Sequence, residues 1–164
     1  MKNEMLSYLI LQHSLEAGDN MYTYADFSTV KELPDIVHVN QLSEALGLSV
    51  SRTYEIIQDI GIPHLKLGKR FIIFKEHLIE TLSGKRIYTS VNNLNAIKGL
   101  PKVFNPKRLR DALGISNGTA YVLVREPGFP AAFSRNRIVI SKTGFVDWIR
   151  TNEKNMRSAE EERR

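Results

Sequence analysis

Side chains that could do covalent chemistry are sparse in this chain. It has no cysteine, which removes disulfides, thiolate metal sites and a cysteine nucleophile. The histidines, His13, His38, His64 and His77, show no metal-ligand spacing and read as surface or partly buried structural residues. Carboxylates such as Glu44 and Asp59 fall singly on helix faces and form no acid–base pair. There is no glycine-rich phosphate loop and no nucleophile–base set. The sequence therefore points away from an enzyme and predicts no catalytic residue, no metal and no cofactor. What remains is guanidinium and ammonium chemistry, which holds anions.

Those cations are unevenly placed. The 164 residues carry 23 Lys and Arg against 18 Asp and Glu, a net of +5. Residues 1–38 have 2 basic and 6 acidic side chains, and residues 39–82 have 5 of each. Residues 83–150 have 12 basic and 3 acidic, and residues 151–164 have 4 of each. A basic second half behind an acidic start is the charge layout of a polyanion-binding module attached to something else. No apolar run is long enough for a membrane span, and the first residues make a poor signal peptide. Absence of cysteine fits a reducing cytoplasm.

The elements that position these cations come twice. Residues 42–82 recur at 109–149 with a constant offset of 67. Leu46, Gly47, Ser49, Tyr54, Gly61, Pro63, Arg70 and Lys75 reappear as Leu113, Gly114, Ser116, Tyr121, Gly128, Pro130, Arg137 and Lys142. A register held so long indicates one structural unit made twice. In the first copy a short helix over 42–46 is closed by Gly47, and a second helix covers 49–59 with a serine cap. A hairpin follows over 65–74 with Gly68 and Lys69 at its tip, then a helix over 75–82. In the second copy Asn105 caps and Pro106 opens a helix through 109–113. A second helix spans 117–125, a hairpin 133–141 turns at Arg135 and Asn136, and a closing helix over 143–150 carries Trp148.

Outside the copies, residues 3–16 predict a broadly apolar helix that must be buried, in the core or as a dimer surface. Residues 1–38 are thus an N-terminal helix and connector, and 39–82 and 104–150 the two modules. Residues 83–103 read as a partly ordered linker, and 151–164 as a charged tail.

Two short helices joined by a glycine turn, a basic hairpin and a closing helix are the parts of a winged helix-turn-helix. The chain resembles the excisionase-like branch of the MerR-type winged helix-turn-helix proteins, found in phage, transposon and plasmid regulators. The resemblance rests on Leu46-Gly47-Leu48-Ser49 with Tyr54, on Gly61-Ile62-Pro63, and on Leu67-Gly68-Lys69-Arg70. It rests equally on Leu113-Gly114-Ile115-Ser116 with Thr119 and Tyr121, Gly128-Phe129-Pro130, Arg137 and Trp148. The copies depart from the family pattern at Arg52, Thr81, Phe133 and Arg135, and at the helix-entry residues His38 and Asn105. The expected fold is α+β, mainly α with small β-hairpin wings, as two tandem winged helix-turn-helix domains.

The resemblance implies a sequence-specific double-stranded DNA-binding protein of a bacterial mobile element, cytoplasmic and associated with the nucleoid. It would act as a transcriptional regulator or as an excisionase-like architectural factor beside a recombinase. Candidate base readers lie at the start of each second helix: Ser49, Ser51, Arg52 and Thr53, then Ser116, Asn117 and Thr119. Arg52 suits a bidentate guanine contact; its plainer alternatives are a solvated arginine or an ion pair with Glu55 or Asp59. Candidate phosphate contacts are Lys66, Lys69, Arg70, Lys107, Arg108, Arg110, Arg125, Arg135, Asn136 and Arg137. The competing reading is a protein-interaction adaptor. In it the charge-balanced first module binds a protein partner, the N-terminal helix forms a homodimer, and only the second module touches DNA.

Overall fold

The computed structural model describes residues 27–83 and 89–154. The helix expected over 3–16, with its dimer role, lies outside the described residues, as do positions 84–88 and the tail beyond 154. The described residues divide into two compact units, one of residues 27–83 with Lys154 and one of residues 89–153. Both are α+β, with small antiparallel sheets.

In the first unit the order is α1 (Phe27–Lys31), β1 (Ile36–His38), α2 (Val39–Leu46), α3 (Val50–Ile60), β2 (His64–Leu67), β3 (Arg70–Phe74) and α4 (Lys75–Leu82). The Gln41 side chain accepts from the His38 N–H at 2.9 Å where α2 begins, and α2 ends at Gly47 with φ 65°. Ser49 caps α3 by accepting from the Arg52 N–H at 3.2 Å, which satisfies a donor that the first helical turn leaves open. The buried stripes of α2 and α3 meet in a core with Val37, Leu42, Leu46, Ile57, Ile73 and Leu78. β3 lies between β1 and β2, with Ile36 opposite Phe74 and Leu67 opposite Arg70. The other sheet face is buried too, since Leu65, Ile72 and Phe74 are no more than 1 % exposed. Burial on both faces explains why β3 reads as the unbroken apolar run Phe71-Ile72-Ile73-Phe74.

The second unit contains a 3₁₀ turn (Val91–Asn93), α5 (Asn95–Lys98), β4 (Val103–Phe104), α6 (Pro106–Leu113), α7 (Asn117–Leu123), β5 (Ala131–Ser134), β6 (Arg137–Ser141) and α8 (Lys142–Asn152). Asn105 accepts from the Arg108 N–H at 3.0 Å and Pro106 takes the first helical position. Leu109, Leu113, Ile140, Phe145 and Ile149 form its fully buried centre, and Trp148 packs edge-on against Phe129 at 5.1 Å. A Cβ built on Gly144 would lie 2.7 Å from the Pro130 Cβ, so α8 approaches Pro130 only because that position has no side chain. Strand order is β4-β6-β5. Here the second sheet face is open, with Ala132 and Val139 exposed.

At offset 67, α2 and α6, β2 and β5, and β3 and β6 begin and end on matching residues. The repeat also reaches further back than residue 42. Lys31, Leu33 and Pro34 recur as Lys98, Leu100 and Pro101. The Leu33 N–H bonds the Val30 carbonyl at 3.2 Å, and the Leu100 N–H bonds the Ile97 carbonyl at 3.0 Å. The Lys75 Nζ reaches the Leu33 carbonyl at 2.8 Å and the Lys31 carbonyl at 3.5 Å. The Lys142 Nζ reaches the Lys98 carbonyl at 3.0 Å. The lysine shared by the copies is therefore a clamp that holds carbonyls at the end of the preceding helix. This corrects the expected linker over 83–103: from Thr89 on, those residues supply α5 and β4 of the second unit. The connector before 39 likewise supplies α1 and β1.

Candidate functional site

The positions singled out in α3 and α7 do different work from one another. Thr53 is fully buried, and its hydroxyl donates to the Ser49 carbonyl at 2.9 Å. It faces the core, as its counterpart Ala120 does, so it is not an external contact residue. Ser49 and Ser116 are exposed but serve as helix caps, Ser116 accepting from the Thr119 N–H at 3.2 Å. The Thr119 hydroxyl sits 2.9 Å from that of Ser116. Ser51 and Asn117 are exposed, and the Asn117 Oδ1 accepts from the Arg110 guanidinium at 2.9 Å.

Arg52 takes the ion-pair alternative. Its guanidinium pairs with Glu55 at 2.6 Å, and its side chain is only 14 % exposed. The outward residues of α3 are Val50, Ser51, Glu55, Gln58 and Asp59. At the same register α7 and the residues after it present Gly118, Val122, Arg125 and Glu126. Beyond the Arg52–Glu55 pair the first helix carries Asp59, matched by Glu126 in the second copy, which has exchanged Glu55 for Val122 and Gln58 for Arg125.

The phosphate candidates all reach the surface. Lys66, Lys69, Arg70, Lys107, Arg108, Arg125, Arg135, Asn136 and Arg137 are exposed, and Arg110 is half-buried. Two are tethered. Arg110 pairs with Asp111 at 2.9 Å, and Arg125 lies over the Tyr121 ring at 5.9 Å. In the second unit the remaining candidates gather at the start of α6 and at the hairpin tip. Between them runs an open groove of about 580 Å³. It is lined by the apolar Val103, Phe104, Pro106, Ile138 and Val139 and by the polar Asn105, Tyr121, Asn136 and Arg137. In the first unit the matching place is occupied, because Phe71 stands where Ile138 does. Phe71 packs edge-on against Tyr54 at 4.9 Å and stacks on His64 at 4.0 Å.

The two tips differ in backbone chemistry. Leu67 pairs with Arg70 around Gly68 and Lys69, and Ser134 pairs with Arg137 around Arg135 and Asn136. Gly68 has φ 61° and Arg135 has φ 52°. Positive φ at the first central residue alone is the sign pattern of a II′ hairpin turn, which favours glycine there. Arg135 is the only non-glycine with positive φ among the described residues.

Two histidines lie deeper than the expected surface or partly buried positions. His64 and His77 are fully inside the first unit, and the His64 Nδ1 lies 2.9 Å from the Ile62 carbonyl. Among the described residues no three His, Cys, Asp or Glu side chains converge as metal ligands, and no helix is long and apolar enough to cross a membrane. The sequence reading missed the Tyr121 groove, though its signal was present in the exchange of Phe71 for Ile138 between copies.

The molecule is an internally repeated α+β protein whose second unit carries an exposed basic, groove-bearing surface. Compared with protein-family models, curated proteins and solved structures, the chain matches none.

Proposed function

We propose that the chain binds double-stranded DNA through its second unit, each unit being a winged helix-turn-helix. α7 would enter the major groove, with the β5–β6 hairpin as the wing on an adjacent groove. The observation that carries this reading is Arg135. A guanidinium is kept at φ 52° in a turn position that the other copy fills with glycine. A residue held against its backbone preference is a pointer to function, and here it adds a cation to a tip already bearing Asn136 and Arg137. The groove beside it has Arg137 and Asn105 among its lining residues, and these suit a phosphodiester strand.

The first unit is read as the partner-binding module of the adaptor hypothesis. Its α3 presents Glu55, Gln58 and Asp59, and its sole helix cation is paired. With Arg52 engaged by Glu55 and Asp59 beyond that pair, the helix offers a phosphate backbone no attraction. At the level of biology, the resemblance supports a regulator or an excisionase-like architectural factor of a bacterial mobile element, near the nucleoid and beside a recombinase or another protein.

A gel shift on a random-sequence duplex at low salt tests the reading. Wild type binds, Arg135→Ala/Arg137→Ala weakens binding by roughly ten- to a hundredfold, and Arg52→Ala changes it less than about twofold. Failure of the wild type to bind any duplex at low salt removes the DNA reading.

A further inference from the structure

The second hairpin carries an apolar ring where a purely electrostatic tip has no use for one. Phe133 is 56 % exposed and occupies the position that the first hairpin gives to Lys66. It stands directly opposite Ile138 across the β5–β6 pair, so the two share one sheet face, since directly paired strand residues point to the same side. Two residues later the chain turns through Arg135 and Asn136, and Arg137 follows. Arginine and asparagine are the side chains that suit the minor groove, where A·T pairs offer only acceptors and a narrow groove concentrates negative potential. An exposed aromatic next to such residues is the composition of a minor-groove wedge. A lone exposed phenylalanine is unremarkable on most surfaces. This one replaces a lysine on a tip whose other substitution, Arg135 for Gly68, also raises the interaction potential of the same few residues.

Resting on the DNA reading above, we propose that the β5–β6 hairpin lays its Phe133 face on the minor-groove floor, and that the ring inserts between two base pairs and kinks the duplex. Arg135 and Asn136 seat the tip, and the ring supplies the bend. The favoured sites are TA steps, whose stacking is the easiest to open. The first hairpin, with Lys66 in this place, cannot do the same.

The full chain is titrated into an alternating dA-dT duplex of about 30 base pairs, with 2-aminopurine replacing several central adenines. Anisotropy reports binding, and the base's own fluorescence reports unstacking in the same sample. Wild type saturates the duplex with a fluorescence rise of about twofold or more. Phe133→Lys, which installs the residue of the first hairpin, saturates it within about tenfold of the same concentration but gives no rise. Phe133→Leu, still a wedge, keeps part of the signal. Far-UV circular dichroism checks that each variant is folded. Saturation by wild type without a rise overturns the wedge and leaves the DNA reading intact, as does a full rise with Phe133→Lys. So does a folded Phe133→Lys protein that no longer saturates the duplex, because the ring then carries affinity instead of the kink. A wild type that is dimeric without DNA, and monomeric as Phe133→Lys, overturns it in favour of a protein contact. Absence of any binding at low salt removes both.

Discussion

At the scale of residues, two arginines show how little a side chain's identity says without its surroundings. Arg52 sits on a helix start that suits base readout, yet Glu55 at 2.6 Å neutralises it. Arg135 sits on a turn that disfavours it and is exposed. Backbone strain in the left-handed region costs about 1–2 kcal/mol for an L-residue. Glycine adds unfolded-state freedom worth roughly 0.5–1 kcal/mol. Arg135→Gly is therefore expected to raise the unfolding free energy by about 0.5 kcal/mol while weakening DNA binding. Denaturant unfolding and anisotropy on the same preparation decide it; a loss of stability, or an unchanged affinity, speaks against a functional charge at that tip. Thr53 gives the converse lesson. Its place at the helix start suits a base contact, but Ala120 at the same register marks that face as core. Comparing copies position by position separates buried from exposed faces where one copy alone does not.

At the scale of elements, the glycines of the second unit make opposite predictions for one substitution. In α8 a Cβ on Gly144 would meet the Pro130 Cβ at 2.7 Å. Alanine gains about 1 kcal/mol in helix propensity there, but crowding into a packed contact costs about 1–3 kcal/mol. Gly144→Ala should thus lower the stability of the unit by about 1 kcal/mol. On α7 the nearest atom to a Cβ at Gly118 is the Ser116 Oγ at 3.9 Å, an ordinary contact. Gly118→Ala should raise stability by about 0.5–1 kcal/mol. Thermal or urea unfolding of both variants checks the signs, and two shifts in the same direction contradict the packing argument. The helices and hairpins around residues 42–82 and 109–149 were legible because caps, glycines and apolar spacing agree locally. α1, α5, β1 and β4 were not, since segments of two to five residues have no periodicity to read. Their trace was the pair Leu33-Pro34 and Leu100-Pro101 at the common offset, together with the clamps Lys75 and Lys142.

At the scale of the whole molecule, one architecture has been built twice with its chemistry divided. The described part of the first unit, residues 27–83, carries 6 basic and 7 acidic side chains, whereas residues 89–153 carry 10 basic and 4 acidic. The first hairpin is buried on both faces and its helix has its one cation paired; the second hairpin is open and its helix is followed by the exposed Arg125. Even so, Lys66, Lys69 and Arg70 make the first tip basic, and local charge alone does not tell whether that tip meets DNA. The salt dependence of binding does, because each phosphate neutralised contributes about 0.9 to the slope of log affinity against log salt. In the full chain, Arg135→Ala/Arg137→Ala should reduce that slope by roughly 1.8. Lys66→Ala/Lys69→Ala/Arg70→Ala should leave it unchanged within about 0.5. If both sets lower the slope in proportion to the charges removed, both tips lie on the phosphate backbone and the units act in tandem. If only the first set does, the contact belongs to the second unit, and the first is free to hold a partner while the second holds DNA.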